Sequence, residues 1–228
     1  MPRDGALERL ASKEVLRSEV QKLAVDERRR PPKISPLLTI SRDHNCGAEE
    51  IARDLARGLG WRLYDRELVD RIAEDRRVGV GVIERLDEQA LGDLQEWANQ
   101  IFLPDYVGQT EYMRSLVHVI LDVAREGNAV IVGRGAQFLL PEERRLAVRL
   151  VAPLAWRVES YAREFGIDEK EARRVIEVED ERRRSFVEHN FHRDAGDAHH
   201  YDLVIDTRSI PRETVKSIIL QALRARSG

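Results

Sequence analysis

The 228-residue chain carries 38 Lys and Arg against 41 Asp and Glu, a net charge of −3, and 42% of its residues are apolar. That composition supplies one substantial core with room for a small appendage, and it provides no overall positive field to draw nucleic acid or an acidic membrane. A single cysteine, Cys46, excludes an intrachain disulfide, and no apolar run suits a signal peptide or a membrane span, so a cytoplasmic protein is expected.

Residues 5–28 are helical in character and heavily charged, with a thin apolar stripe of Leu7, Leu10, Val20 and Leu23. The following RRRPPKISP, residues 28–36, ends any helix, because proline lacks the amide donor and restricts the residue before it. Residues 1–36 therefore read as an N-terminal helical appendage and linker, which packs on the body or meets a partner, including a second copy of the chain.

From residue 37 onward short apolar runs alternate with helical stretches. LLTIS (37–41), AVIVG (129–133), LAVRLVA (146–152) and DLVID (202–206) suit buried strands, and Leu63 and Tyr64 suit a shorter one. Helices are expected at 49–58, from 66 onward, and at about 80–101, 109–126, 154–165, 168–188 and 211–225, the last with proline in its first turn. Asp65 is placed to cap the helix beginning RELVDRIAED. This alternation predicts an α/β fold, a parallel sheet with helices on both faces in three layers. Ligands in such folds sit at the carboxyl ends of the strands, so the turns after Ser41, Tyr64, Val132 and Ala152 are expected to face one cleft.

The first of these turns is informative. A helix that starts just after a strand offers unpaired amides and the positive end of its dipole to an anion. A full phosphate loop adds glycines, a lysine and a hydroxyl in the pattern G-x-x-x-x-G-K-[ST]. Residues 43–50 read DHNCGAEE: Gly47 is kept, Ala48 stands in the lysine slot and Glu50 in the hydroxyl slot. Glu49 and Glu50 favour a helix start but repel a triphosphate, and Arg42 is the one cation nearby in sequence. On these residues alone the stretch reads first as a plain strand–turn–helix.

Other residues carry two readings each. Arg134 lies between Gly133 and Gly135 at a strand end, free to grip phosphate or carboxylate, or to form an ion pair across the sheet end. Residues 164–184 include Arg173, Arg174, Arg182, Arg183 and Arg184, either a basic cluster able to bind a small anion or a solvated helix with pairs such as Glu169–Arg173. His189, His192, His199 and His200 crowd together without a recognised zinc spacing, so no metal site is assigned. Cys46 reads as a small packing residue, or as a thiol activated by the helix start. Trp61, Trp97 and Trp156 read as core or interface.

Taken together, TISRDHNCGAEEIARDLARGLGWRLYDRELVDRIAED, EGNAVIVGRGAQFLL, RLVAPLAWRVESYAREFGIDEKEAR and RDAGDAHHYDLVIDT resemble the cytidylate kinase-like family, within the P-loop nucleoside monophosphate kinases. The likeness runs in order across residues 37–225. It implies a P-loop kinase fold with helical acceptor-binding and lid segments, in a domain of residues 37–228. The implied activity moves the terminal phosphate of ATP, with Mg²⁺, to a pyrimidine nucleoside monophosphate. The family's first loop usually reads ISRE-x-G-S-G-G-R-E-I. Ser41, Arg42, Gly47, Glu50 and Ile51 match it, while Asn45, Cys46, Ala48 and Glu49 replace Gly, Ser, Gly and Arg.

The resemblance implies donor-phosphate contacts from Ser41, Arg42, Asn45, Cys46, Gly47, Ala48 and Glu50. It places Tyr64, Asp65, Gly133, Arg134 and Gly135 against the acceptor, with Arg134 holding the acceptor phosphate. Asp180, Arg183 and Arg184 fall on the lid's acidic-then-arginine pattern, so Arg134, Asp180, Arg183 and Arg184 are the expected catalytic set. The altered first loop also admits a kinase-shaped nucleotide-binding regulator that transfers nothing, or an interaction scaffold.

Overall fold

A computed structural model describes residues 36–74 and 111–226. The expected appendage, the helix at 80–101 and Trp97 lie outside the described residues. Five strands form one all-parallel sheet: β1 (Leu37–Arg42), β2 (Arg62–Tyr64), β3 (Ala129–Val132), β4 (Arg145–Val151) and β5 (Leu203–Asp206), in the spatial order β2-β3-β1-β4-β5. The described helices are α1 (Ala48–Leu59), α2 (Arg66–Glu74), α3 (Glu111–Glu126), α4 (Ala136–Leu139), α5 (Leu154–Phe165), α6 (Glu169–Phe191) and α7 (Arg212–Arg226).

The central strands β1, β3 and β4 are mostly apolar because they bury both faces, whereas the edge strands β2 and β5 are partly exposed. Successive side chains alternate between the two layers. Leu37 and Ile131 join Met113, Leu116 and Ile120 of α3, whereas Leu38, Ile40, Val130, Val132, Val148 and Leu150 join Ile51 and Leu55 of α1 and Val215 and Ile219 of α7. Full burial of each such side chain contributes about 1.5–3 kcal/mol. α5 and α6 form a hairpin with a separate small core of Val158, Ala172 and Ile176.

Within the described residues the expected elements are present with small boundary shifts. α6 runs to Phe191 rather than stopping near 188, because Val187 and Phe191 bury against the body. Asp168 caps its start, accepting the Glu171 N–H at 2.8 Å. Pro211 lies just before α7 rather than inside its first turn, and its carbonyl accepts the Val215 N–H at 3.0 Å. The four-residue α4 was not expected; it follows directly from the turn that Gly133, Arg134 and Gly135 make. Among the described residues, no helix is long and apolar enough to cross a membrane.

Candidate active site

The β1–α1 turn is built from both sides. Its Asp43 N–H continues the ladder to the Leu150 carbonyl at 3.1 Å. Asn45 takes a left-handed conformation, φ 59°, and donates from Nδ2 to the Arg157 carbonyl of α5 at 3.0 Å. Cys46 is buried with its thiol on the Leu150 carbonyl, and its own carbonyl accepts from Thr207 Oγ1 at 2.7 Å. Burial, reinforced by the nearby Glu49 and Asp43 charges, pushes the Cys46 thiol up to about 12. The activated-thiol reading is therefore corrected: Cys46 packs. The side chains of Asn45 and Cys46 turn inward, so these residues offer an anion only their backbone. Gly47, at φ 77°, precedes α1, whose first residue is the buried Ala48. Ser41 Oγ lies 3.3 Å from the Tyr201 hydroxyl, which donates to the Ala195 carbonyl at 2.9 Å.

Several cations from other elements converge here beside Arg42. Arg149 of β4 pairs with Asp43 at 3.0 Å. Arg157 of α5 donates to the carbonyls of Ala152 and His44, each at 2.9 Å, and to Asp180 at 2.7 Å. Arg183 of α6 sits 3.2 Å from His44 Nδ1 and 3.8 Å from Asp180 Oδ1. Burial, then repulsion from the neighbouring Arg42, lowers the Arg183 pKa. Burial, then the Arg183 charge, lowers that of His44 against the opposing pull of Glu179, Glu49 and Asp180. A neutral imidazole is what the contact requires, since its Nδ1 must accept from the guanidinium.

Arg42 is committed. Its Nε lies 3.0 Å from Glu49 Oε1, and its side chain is only 9% exposed. Burial raises the Glu49 pKa, but the Arg42 charge and hydrogen bond, the residue's own backbone N–H and Arg183 outweigh this and hold it below its usual value. Glu50 stays exposed. Asp43 is raised by burial, against the lowering influence of Arg149 and Arg157.

The neighbouring half of the site is centred on Asp70. Arg134 hydrogen-bonds Asp70, and its guanidinium lies 4.8 Å over the Phe186 ring. Tyr112 donates to Asp70 at 2.7 Å, and Arg66 lies 3.8 Å from Asp70 and 3.6 Å from Glu179 of α6. The ion-pair reading of Arg134 is thus observed, within the carboxyl-edge cleft. Residues 133–135 are all left-handed, with φ of 81°, 54° and 64°. A Cβ on Gly133 would stand 2.6 Å from Arg42, and one on Gly135 would stand 2.2 Å from the Phe191 ring, so the chain passes where only glycine fits. Tyr64 is buried at the end of β2. Asp65 caps α2, accepting the Leu68 N–H at 2.9 Å.

The lid reading is refined by helix geometry. Ile176, Asp180, Arg183, Val187 and Phe191 recur at steps of three and four, forming the inward stripe of α6. Arg184 lies off that stripe, 57% exposed, and pairs with Glu181. The structure does not bring Arg184 to the turn. Arg182 is likewise exposed and pairs with Glu179 at 2.7 Å, while Arg173 lies 3.7 Å from Glu177. Among the histidines, His199 is exposed beside Asp197 at 2.8 Å and His200 packs edge-on to Phe138. Among the described residues, no group of three or more His, Cys, Asp or Glu is arranged to hold a metal ion.

Sequence reasoning missed His44, Arg66, Asp70, Arg149, Arg157 and Glu179. Arg66 and Asp70 had a signal in their i,i+4 spacing on a predicted helix. Arg149 is a cation inside an otherwise apolar strand, and Arg157 falls in the first turn of a helix at a strand's carboxyl end.

Residues 37–209 match the profile of the cytidylate kinase-like family. Cytidylate kinase from Methanopyrus kandleri is 26% identical over 200 residues, 83% of this chain and 94% of that protein. A uronate isomerase from Corynebacterium glutamicum is 26% identical over 132 residues, 58% of this chain; the chain spans only 25% of that relative's length. A crystal structure of an uncharacterized protein from Eubacterium ventriosum shares the fold, with a TM-score of 0.65 at 22% identity, covering 84% of this chain and 99% of that one. The order of strands, the turn at the end of β1 and the family match agree, and the chain belongs to the cytidylate kinase-like family, with the α/β fold of the P-loop kinases.

Proposed function

We propose that the chain is a nucleoside monophosphate kinase that moves the γ-phosphate of ATP to a pyrimidine nucleoside monophosphate of the CMP or dCMP type. The observation that carries this reading is the placement of Arg134. It stands at the carboxyl end of β3, beside the β1–α1 turn, in a backbone held open by two glycines and linked to both α2 and α6. A phosphate monoester there would exchange with Asp70 for the guanidiniums of Arg134 and Arg66.

An oxygen of the acceptor phosphate attacks the γ-phosphorus, and the bond to the bridging oxygen of ADP breaks as the new one forms. The acceptor is already an oxyanion, so no strong general base is needed. Positioning and charge stabilisation supply most of such catalysis. Arg183, brought to the turn by the inward stripe of α6, neutralises charge spread over the moving phosphoryl group. Asp180 is a positioning residue, fixing α6 to the His44 amide and Arg157. Tyr64 and Asp65 border the acceptor end. Mg²⁺ is expected with ATP. Glu49, Asp43 and Asp180 are engaged with Arg42, Arg149 and Arg157, and a metal ion bound with ATP would help to neutralise the polyphosphate charge.

A second reading, a nucleotide-binding protein with little or no transfer, is favoured by the Arg42–Glu49 pair, which engages the turn's own cation. Release of ADP from Mg²⁺-ATP across CMP, dCMP, UMP, AMP and GMP separates the two. The kinase reading expects turnover dependent on a pyrimidine acceptor, and the second reading expects none.

A further inference from the structure

Glu49 stands where charge logic does not put an acid if the turn is to take a polyphosphate. Its carboxylate lies 3.0 Å from Arg42 Nε. A terminal nitrogen of Arg42 lies over the Cα of Gly133, 2.6 Å from where a Cβ there would stand.

Arg183 adds a second cation to the same place. Its Nε and one terminal nitrogen are buried without a hydrogen-bond partner. Its nearest recorded groups are His44 Nδ1 at 3.2 Å and the Asp180 carboxylate at 3.8 Å. Arg183 thus brings an under-satisfied guanidinium to the turn beside His44, while the Arg42 guanidinium is met by the Glu49 carboxylate at 3.0 Å.

We propose that Glu49 is a built-in competitor of polyphosphate: its carboxylate fills the anion position on Arg42, beside the under-satisfied Arg183, and leaves it when a polyphosphate chain enters. This rests on the reading of the turn as the donor-phosphate seat. Glu50 is the internal control. It carries the same charge one residue along, but it is exposed and its recorded contact is through the backbone carbonyl, to Arg212 at 3.4 Å. Diffuse repulsion of an incoming anion would be felt from either residue, whereas occupation of the seat belongs to Glu49 alone.

The test is calorimetric titration of the full chain with tripolyphosphate, comparing wild type, Glu49→Gln and Glu50→Gln. Glu49 is 42% exposed, so the amide is readily accommodated. The proposal expects Glu49→Gln to bind at least about tenfold tighter than wild type, and Glu50→Gln to change affinity by less than about threefold, as befits an exposed charge. Adding Arg42→Ala to Glu49→Gln should abolish the gain. Equal or weaker binding by Glu49→Gln, an equal gain in Glu50→Gln, or no binding by any of the proteins would overturn it. The readout is equilibrium binding, whereas transfer is read by ADP release, so either reading can fail without the other.

Discussion

Asp180, in the middle of α6, accepts the backbone N–H of His44 at 2.7 Å with one oxygen and pairs with Arg157 at 2.7 Å with the other. This single carboxylate joins the β1–α1 turn to both helices of the α5–α6 hairpin. The hairpin's own core is small, so the polar tie sets how α6 stands over the turn.

Asp180→Ala should therefore cost about 3 kcal/mol, because it strands a buried guanidinium and an amide donor together. Arg157 is only 7% exposed and cannot recruit water easily. Asp180→Asn retains an acceptor for the His44 amide and should cost less. Urea denaturation monitored by tryptophan fluorescence ranks the two, and an Asp180→Ala protein as stable as wild type would remove the tie from the account.

The pH dependence of His44 follows from its setting. Burial, followed by the Arg183 charge, holds its folded pKa below the ordinary 6.5. The unfolded chain then binds the extra proton first, so folding is favoured by this group above about pH 6.5. That contribution is lost as the pH falls from there through the folded value. Proton NMR of the imidazole should give a midpoint below 6.5, and His44→Gln should flatten this part of the stability profile. A His44 midpoint above 6.5 would show that Arg183 does not donate to a neutral ring.

Gly133 and Gly135 should respond differently to the same change. Both are left-handed, which alone costs an alanine about 1–2 kcal/mol. At Gly135 the new methyl also meets the rigid ring of Phe191 at 2.2 Å, and overpacking adds about 1–3 kcal/mol. At Gly133 it meets the far end of Arg42, which can shift. Gly135→Ala should thus be the less stable protein in thermal unfolding. Gly133→Ala should keep more stability but lose polyphosphate affinity. Equal melting points would contradict the packing argument.

Most of the fold was legible because strands buried on both faces must read as continuous apolar runs, as AVIV of β3 and LAV within β4 do. The helix α6 was legible in extent, but its inward stripe needed the pairing of Ile176 with Asp180 and Arg183 to be counted along the helix. Without that count, Arg184 looked as suitable as Arg183. The polar ties were less legible, because Arg157 finds Asp180 only after α5 and α6 fold back on each other, 23 residues apart. Asp43 and Arg149 meet through the register of β1 on β4, which places Ser41 beside Arg149. Asp65 could be read either as a cap or as an acceptor contact, and the cap is visible because it is local. Nothing local in the sequence announces that Arg42 and Glu49, seven residues apart, close on each other across the turn.

The central claim is that Arg134 anchors an acceptor phosphate for transfer, and acceptor-dependent ADP release from Mg²⁺-ATP tests it most directly. Wild type, Arg134→Ala and Arg184→Ala would be assayed side by side with CMP and dCMP. Turnover in wild type, a fall of about 100-fold or more in Arg134→Ala, and near-normal turnover in Arg184→Ala is the predicted result. Absence of acceptor-dependent turnover in wild type, or full activity in Arg134→Ala, would contradict it.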